Sequence, residues 1–205
     1  LASILGTWQS TLTNFKYLSS TWKRNCEEER LLGVSLTGIM DSSLTNGSVV
    51  GLEVLSRVLQ TGREIAVNTN REYADKIGIS QSASVTCVKP SGTVSQLVDA
   101  SSGIHARHNP YYIRTVRADR KDPLCKFMED KGFPHEPCVM KPDHTMVFSF
   151  PIKSPDNALF RTDLSAIEQL DLWLVYQEHW CEHKPSVTIT VKEHEWMDVG
   201  AWVWR

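Results

Sequence analysis

Residues 85–108, "VTCVKPSGTVSQLVDASSGIHARH", gather side chains able to hold an anion. An apolar run stops at Lys89, Pro90, Ser91 and Gly92, and an apolar-periodic stretch restarts through Thr93, Val94 and Ser95. A loop that hands a strand over to a helix exposes backbone N–H groups at the helix start. Those groups and the helix dipole favour a phosphate or carboxylate. Gly92 permits close backbone approach, Ser91, Thr93 and Ser95 offer hydroxyl donors, and Lys89 adds a point charge. The pattern is not the Gly-x-x-x-x-Gly-Lys-Ser/Thr of a Walker loop. The plain alternative is a turn in which Ser91 or Thr93 caps the following helix.

Other reactive side chains are more scattered. His179 and His183 stand four apart in "HWCEH", a metal-ligand spacing if both lie on one helix. Cys181 points elsewhere on such a helix, and no second Cys/His pair matches, so structural or surface histidines are the simpler reading. His135 and Cys138 are close in sequence but surrounded by prolines. His105, Arg107 and His108 follow the anion loop and are placed either to touch a polar ligand or to sit in solvent. "EEER" reads as a solvated helix face. Trp173, Trp180, Trp196, Trp202 and Trp204 are spaced as core and interface residues.

The elements that must position these residues follow from periodicity. Residues 1–31 read as helical with a break near Leu18–Ser20, Ser20 or Thr21 capping the second part, and Glu27 placed to pair with Lys23 or Arg30. Residues 31–40 and 82–88 read as short buried strands, with a long helix between them over about 49–77 and Gly62 as its weak point. A short helix follows the anion loop. After Gly103 the texture changes. Strands are expected at 111–118, 145–152 and 186–191, and helices at 122–132, 163–183 and from about 193 to the end. Strands alternating with helices, too buried to alternate cleanly, argue for α/β layering with parallel pairing.

Bulk properties narrow the function classes. The chain has 205 residues, 41% hydrophobic and 22% charged, enough for a sizeable core. A net charge of −2 with interleaved signs gives no electrostatic footprint for duplex nucleic acid. No apolar run reaches the roughly 20 residues that span a bilayer. Five spread cysteines and no recognisable export signal favour free thiols and a cytoplasmic location. Leu1 already lies in an apolar-periodic segment and "GAWVWR" stops in mid-pattern, so both ends read as internal.

Four stretches carry a resemblance: "NCEEERLLGVSLTGIMD", "TCVKPSGTVSQLVDASSGIHARHNPYYIRTVRADRKDPLCKFMEDKGFPHEP", "HTMVFSFP" and "YQEHWCEHKPSVTITVKEHEWMDVGAWVW". In this order they resemble the monomeric type of adenosylcobalamin-dependent (class II) ribonucleoside-triphosphate reductase. The resemblance implies the ribonucleotide reductase α/β barrel, ten strands in two parallel halves, with this chain a single segment of its later, C-terminal portion. Residues 31–40 and 82–88 would be inner strands, and Lys89 to Ser95 the loop that holds substrate phosphates.

The resemblance also implies adenosylcobalamin as cofactor, a ribonucleoside triphosphate as substrate, an external dithiol reductant, and the remaining portion of the reductase as partner. Charge and hydropathy lead us to expect neither a nucleic-acid nor a membrane partner. Some cobalamin contacts are expected between Tyr112 and Trp173, unassigned to individual residues, and there is no Asp-x-His-x-x-Gly signature. The family's radical chemistry needs a cysteine in Asn-x-Cys-x-Glu, with the glutamate as general base, and two reducing cysteines. Asn25–Cys26–Glu27–Glu28 has the wrong spacing, and no cysteine here matches a catalytic position. The chain is therefore expected either to complete a working reductase or to be a binding or structural module without chemistry of its own.

Overall fold

The computed structural model describes residues 1–92 and 94–204. Residues 1–107 with 157–205 form one compact unit, and residues 108–156 form a second. The change of texture after Gly103 falls close to that division.

The first unit opens with α1 (Ala2–Gln9) and α2 (Ser20–Glu29). The break between them is longer than expected, and the cap of α2 is Ser19, whose hydroxyl accepts the Trp22 N–H at 3.3 Å. Lys23 and Glu27 do meet at 3.8 Å across one helical turn. The long helix α3 (Gly51–Ile77) buries Leu55, Leu59, Ala66, Asn70 and Ala74, a single stripe of an amphipathic helix. Gly62 on α3 seats the Trp180 ring, because a Cβ there would stand 3.3 Å from Trp180 Cζ3. Opposite lies α5 (Ala166–His179), started by a capping box of Ser165 and Glu168. Its Leu172 and Tyr176 close a core with Leu55, Leu59, Ile39, Met40, Val88, Ile104 and Trp180. Each such side chain contributes roughly 1.5–3 kcal/mol when fully buried.

Between the helices runs a parallel pair, β1 (Val34–Ser35) and β2 (Thr86–Cys87), with Val34 opposite Thr86 and Ser35 opposite Cys87. Two strands leave the far edge of β2 without a neighbour. Residues just past α5 occupy it. Glu182 Oε2 accepts the N–H groups of Val85 at 2.6 Å and Thr86 at 2.7 Å. Glu182 N–H donates to the Thr86 carbonyl at 3.1 Å, and Trp180 Nε1 donates to the Cys87 carbonyl at 2.8 Å. On the approach to β2, the buried Asn70 amide of α3 donates to Thr7 of α1 at 2.9 Å and to Ser82 at 3.0 Å. One side chain thus ties α1, α3 and the strand entry.

The second unit is a three-stranded antiparallel sheet in the order β3 (Tyr111–Asp119), β5 (Thr145–Lys153), β4 (His135–Pro137). β3 and β5 pair over their full length, from Tyr111 opposite Lys153 to Asp119 opposite Thr145. α4 (Pro123–Asp130) starts at an Asp122 cap, and its buried Cys125 packs with Met146 and Phe148.

Several sequence expectations are corrected here. Parallel pairing holds for β1–β2, but the second unit is antiparallel. Its strand–helix–strand order resembles a parallel crossover, yet β5 enters between β3 and β4 and runs against both. The strands expected at 31–40 and 82–88 are ladder-paired only at 34–35 and 86–87. Residues 186–191 form no ladder: the Ser186 N–H reaches the Val88 carbonyl at 3.4 Å, but at Thr190 the Gln169 side chain takes the N–H at 3.2 Å and donates to the carbonyl at 3.3 Å. α5 ends at His179, so His179 and His183 do not share a helical face. The final helix is a 3₁₀ turn (Glu193–Glu195) followed by α6 (Trp196–Trp204).

Because Glu182 serves two strand N–H groups, Glu182→Ala is expected to lower unfolding free energy by roughly 2–4 kcal/mol. Glu182→Gln, which keeps an acceptor, should lose less than half of that. Chemical denaturation of the two variants beside the parent protein measures both.

Candidate functional site

β2 runs through Val88 directly into Lys89 and the loop that follows, whose described side chains are placed individually. Lys89 and Pro90 are exposed, and the Lys89 N–H donates to Ser35 Oγ at 3.0 Å. Ser91 is half-buried. Its N–H donates to Ser102 Oγ at 2.9 Å and its hydroxyl reaches the same oxygen at 3.1 Å. Gly92 adopts φ +58° and borders open space, with nothing within 4 Å of where a Cβ would stand. Thr93 lies outside the described residues. Val94 is exposed and Ser95 buried, both in a five-residue 3₁₀ turn (Val94–Val98) that stands where a short helix was expected. So short a turn adds little dipole.

The loop is closed on itself. Gly103 at φ +55° brings the chain back so tightly that a Cβ would stand 2.9 Å from the Lys89 carbonyl oxygen. From the other side, Thr37 Oγ1 donates to the Ser101 carbonyl at 2.9 Å and accepts the Gly103 N–H at 3.0 Å. Gly38 N–H adds a bond to the same Ser101 carbonyl at 2.8 Å. Residues 35–38 and 101–103 therefore form a frame around Lys89–Gly92.

Behind this frame lies an ion-pair network. Arg107 Nε and Nη2 donate to the two carboxylate oxygens of Asp41 at 2.9 and 3.0 Å. Arg107 also meets Asp99, through Nη1 to its carboxylate at 3.2 Å and through Nη2 to its backbone carbonyl at 2.5 Å. The Asp41 carboxylate holds the guanidinium well above its ordinary pKa, with burial opposing and Asp99 adding to the rise. Arg107 thus stays charged while all three of its nitrogens are engaged. It is not a spare cation for a ligand. Burial lowers the His105 pKa, so that ring is neutral at neutral pH. His108 belongs to the second unit, where its ring lies 6.5 Å from that of Tyr112. Of the loop's positive groups, the exposed Lys89 is the one suited to meet an anion.

The sequence missed Thr37, Asp41, Asp99 and Ser102 as parts of this arrangement. Asp41 and Arg107 are 66 positions apart, a pairing that no local pattern signals.

The thiols are placed for packing. Cys87, Cys125, Cys138 and Cys181 are buried, and Cys26 is half-buried on α2. Burial pushes the Cys87 thiol up, and the Cys181 thiol up to about 12, which keeps both protonated. Among the described residues, no three His, Cys, Asp or Glu side chains converge to hold a metal ion. Nor is any helix among them long and apolar enough to cross a membrane. Apart from the loop, a cleft of about 430 Å³ lies between residues 9–15 and α2, lined by Leu12, Phe15, Trp22, Cys26 and Arg30.

No family model matches the sequence. Among curated proteins, the adenosylcobalamin-dependent ribonucleoside-triphosphate reductase of Euglena gracilis is 33% identical over 172 residues, which cover 82% of this chain and 23% of that protein. The proteins of the same name from Lactobacillus gasseri and Levilactobacillus brevis are 30% and 28% identical, over 82% and 87% of this chain and 26% and 27% of theirs. The chain is a relative of one segment of these reductases. A crystal structure of a B12-dependent (class II) ribonucleotide reductase matches 99% of this chain and 32% of its own, with a TM-score of 0.80 at 23% identity. The mixed α/β fold is therefore that of part of a class II reductase. The chain spans about a quarter of the length of the curated reductases it matches.

Gly92 and Gly103 separate loop conformation from loop packing. Both have positive φ, but only Gly103 faces backbone at 2.9 Å. Gly92→Ala is expected to cost about 1 kcal/mol of stability, and Gly103→Ala at least twice that. Thermal or denaturant unfolding of the two variants reads the difference.

Proposed function

We propose that this chain supplies the substrate-phosphate loop of an adenosylcobalamin-dependent ribonucleoside-triphosphate reductase, Lys89, Pro90, Ser91, Gly92, Thr93, Val94 and Ser95 being the residues at the phosphates. The observation that carries this is the loop itself. It leaves a buried strand, opens at Gly92 with a left-handed φ, and keeps a lysine exposed beside Ser91, which Ser102 holds in place. Among the described residues the exposed Lys89 ammonium and the open Gly92 backbone are in position to meet phosphate oxygens, while Ser102 holds the Ser91 N–H and hydroxyl in reserve beside them. The relation to the reductases supports placing the chain in such an enzyme.

In this reading the chain binds and orients substrate, and the radical chemistry lies elsewhere in the enzyme. Cys26 follows Asn25 directly on α2, and Cys87 and Cys181 are buried thiols kept protonated. None stands in the Asn-x-Cys-x-Glu arrangement of a thiyl radical beside a general base. The remaining polypeptide would contribute those cysteines, and an external dithiol would restore them after turnover. Adenosylcobalamin, when bound, supplies a cobalt–carbon bond whose homolysis starts the radical. The hollow between β3 and β5 in the second unit is about 370 Å³, lined by Tyr111, Tyr112, Ile113, Pro151, Ile152 and Lys153. That is near the lower limit for a drug-sized ligand, and a corrinoid is much larger. No step is assigned to the cofactor here.

The cysteine pattern also favours a second reading, a nucleotide-binding or structural module without catalysis. One set of measurements separates the two. Ser91→Ala should weaken ribonucleoside-triphosphate binding by roughly 1–3 kcal/mol, and Gly92→Val by at least as much, by calorimetric titration. Unchanged affinity in both variants rejects the phosphate assignment. The chain by itself should reduce no ribonucleotide. Together with a polypeptide bearing the radical and reducing cysteines, it should give adenosylcobalamin-dependent formation of deoxyribonucleotides. Binding without any such complementation selects the module.

A further inference from the structure

We infer that Asp41 and Arg107 are positioning residues for the anion loop: their ion pair holds residues 99–103, against which Ser91 rests, although neither side chain is free to touch an anion. This inference deepens the phosphate reading and rests on it. Arg107 is almost fully buried, its side chain 3% exposed, and Asp41 is 12% exposed. Their contact is a two-pronged fork, the strongest arrangement available to a guanidinium and a carboxylate.

The connection to the loop can be followed bond by bond. Asp41 Oδ2 accepts the Ser101 N–H at 2.7 Å, while Arg107 Nη2 holds the Asp99 carbonyl. The two ends of the 99–101 stretch are therefore fastened to opposite partners of one ion pair. Asp99 has φ +47°, a left-handed backbone that aspartate adopts more readily than most non-glycine residues. Arg107 fixes the residue in that conformation by hydrogen bonds to both its carbonyl and its carboxylate. Ser102 then presents the oxygen that receives both the N–H and the hydroxyl of Ser91. A shift of residues 99–103 would move that oxygen and release Ser91.

Charge alone predicts the opposite effect of disturbing the pair. Asp41, Asp99 and Arg107 sum to one negative charge close to a site proposed for an anion. Neutralising Asp41 should then tighten anion binding if only the field mattered. If Asp41 positions the loop, its loss should weaken binding. The sign of the change decides between the two.

The test uses the 205-residue chain titrated with inorganic tripolyphosphate, beside Asp41→Asn, the double variant Asp41→Asn/Arg107→Gln, and Ser91→Ala. The double variant leaves no unpaired buried charge, which protects its folding. Hydrogen exchange is followed in the same proteins. The expected result is affinity lower by on the order of tenfold to a hundredfold in both Asp41 variants. Exchange should be faster across 99–103, with protection of α3 and α5 retained. Equal or tighter binding in the Asp41 variants, or unchanged exchange across 99–103, overturns the inference. So does unfolding of both variants or loss of protection throughout α3 and α5, because the pair would then support the unit as a whole. Failure of the phosphate reading looks different: the parent chain and Ser91→Ala bind tripolyphosphate equally, or neither binds it.

Discussion

The far edge of β2 is the constraint on which the first unit depends. A parallel pair of two residues each is too short to hold itself, and its unpaired amides would be costly inside a protein. One carboxylate, Glu182, takes two of those amides, and Trp180 donates to the next carbonyl along the strand. Both residues lie just beyond α5, so docking α5 on α3 also completes the edge of β2. The Trp180 ring needs Gly62 beneath it, which accounts for a glycine in the middle of a long helix. Packing, hydrogen bonding and the course of the chain toward Lys89 are thus set by the same few residues.

What emerges from β2 is a loop defined by its frame more than by its own sequence. The nearby arginine looks, by charge, like the natural partner of a phosphate, but its nitrogens are committed to Asp41 and Asp99. A buried arginine between two carboxylates is an anchor. Lysine, exposed at the loop start, keeps the free positive charge. On the proposed phosphate reading, this division would separate holding the loop's shape from meeting the ligand.

How much of this could be read from sequence differs by element. The amphipathic helices were legible, since Leu55, Leu59, Ala66, Asn70 and Ala74 fall on one stripe and Asp122 with Pro123 marks a helix start. The Lys89–Ser95 loop was legible as a loop through its small residues between two apolar runs, although Thr93, named there, lies outside the described residues. Strand extent was not legible. "SVTITV" has the composition of a strand, but strand formation needs a neighbour, and Thr190 is served by the Gln169 side chain. β4 was hidden in a proline-rich stretch of three paired residues. The direction of pairing in the second unit depends on where β5 inserts, a fact of topology with no local signal. The Asp41–Arg107 pair was invisible for the same reason.

The proposed function rests on anion binding at residues 89–95. The most direct measurement is a titration of the isotopically labelled chain with tripolyphosphate, followed by amide chemical shifts. The account predicts saturable shifts concentrated at Ser91, Gly92, Val94, Ser95 and Ser102, with those of α4 and the antiparallel sheet unmoved. Shifts centred instead on the cleft beside Trp22, or no saturable shift in residues 89–103, would contradict it.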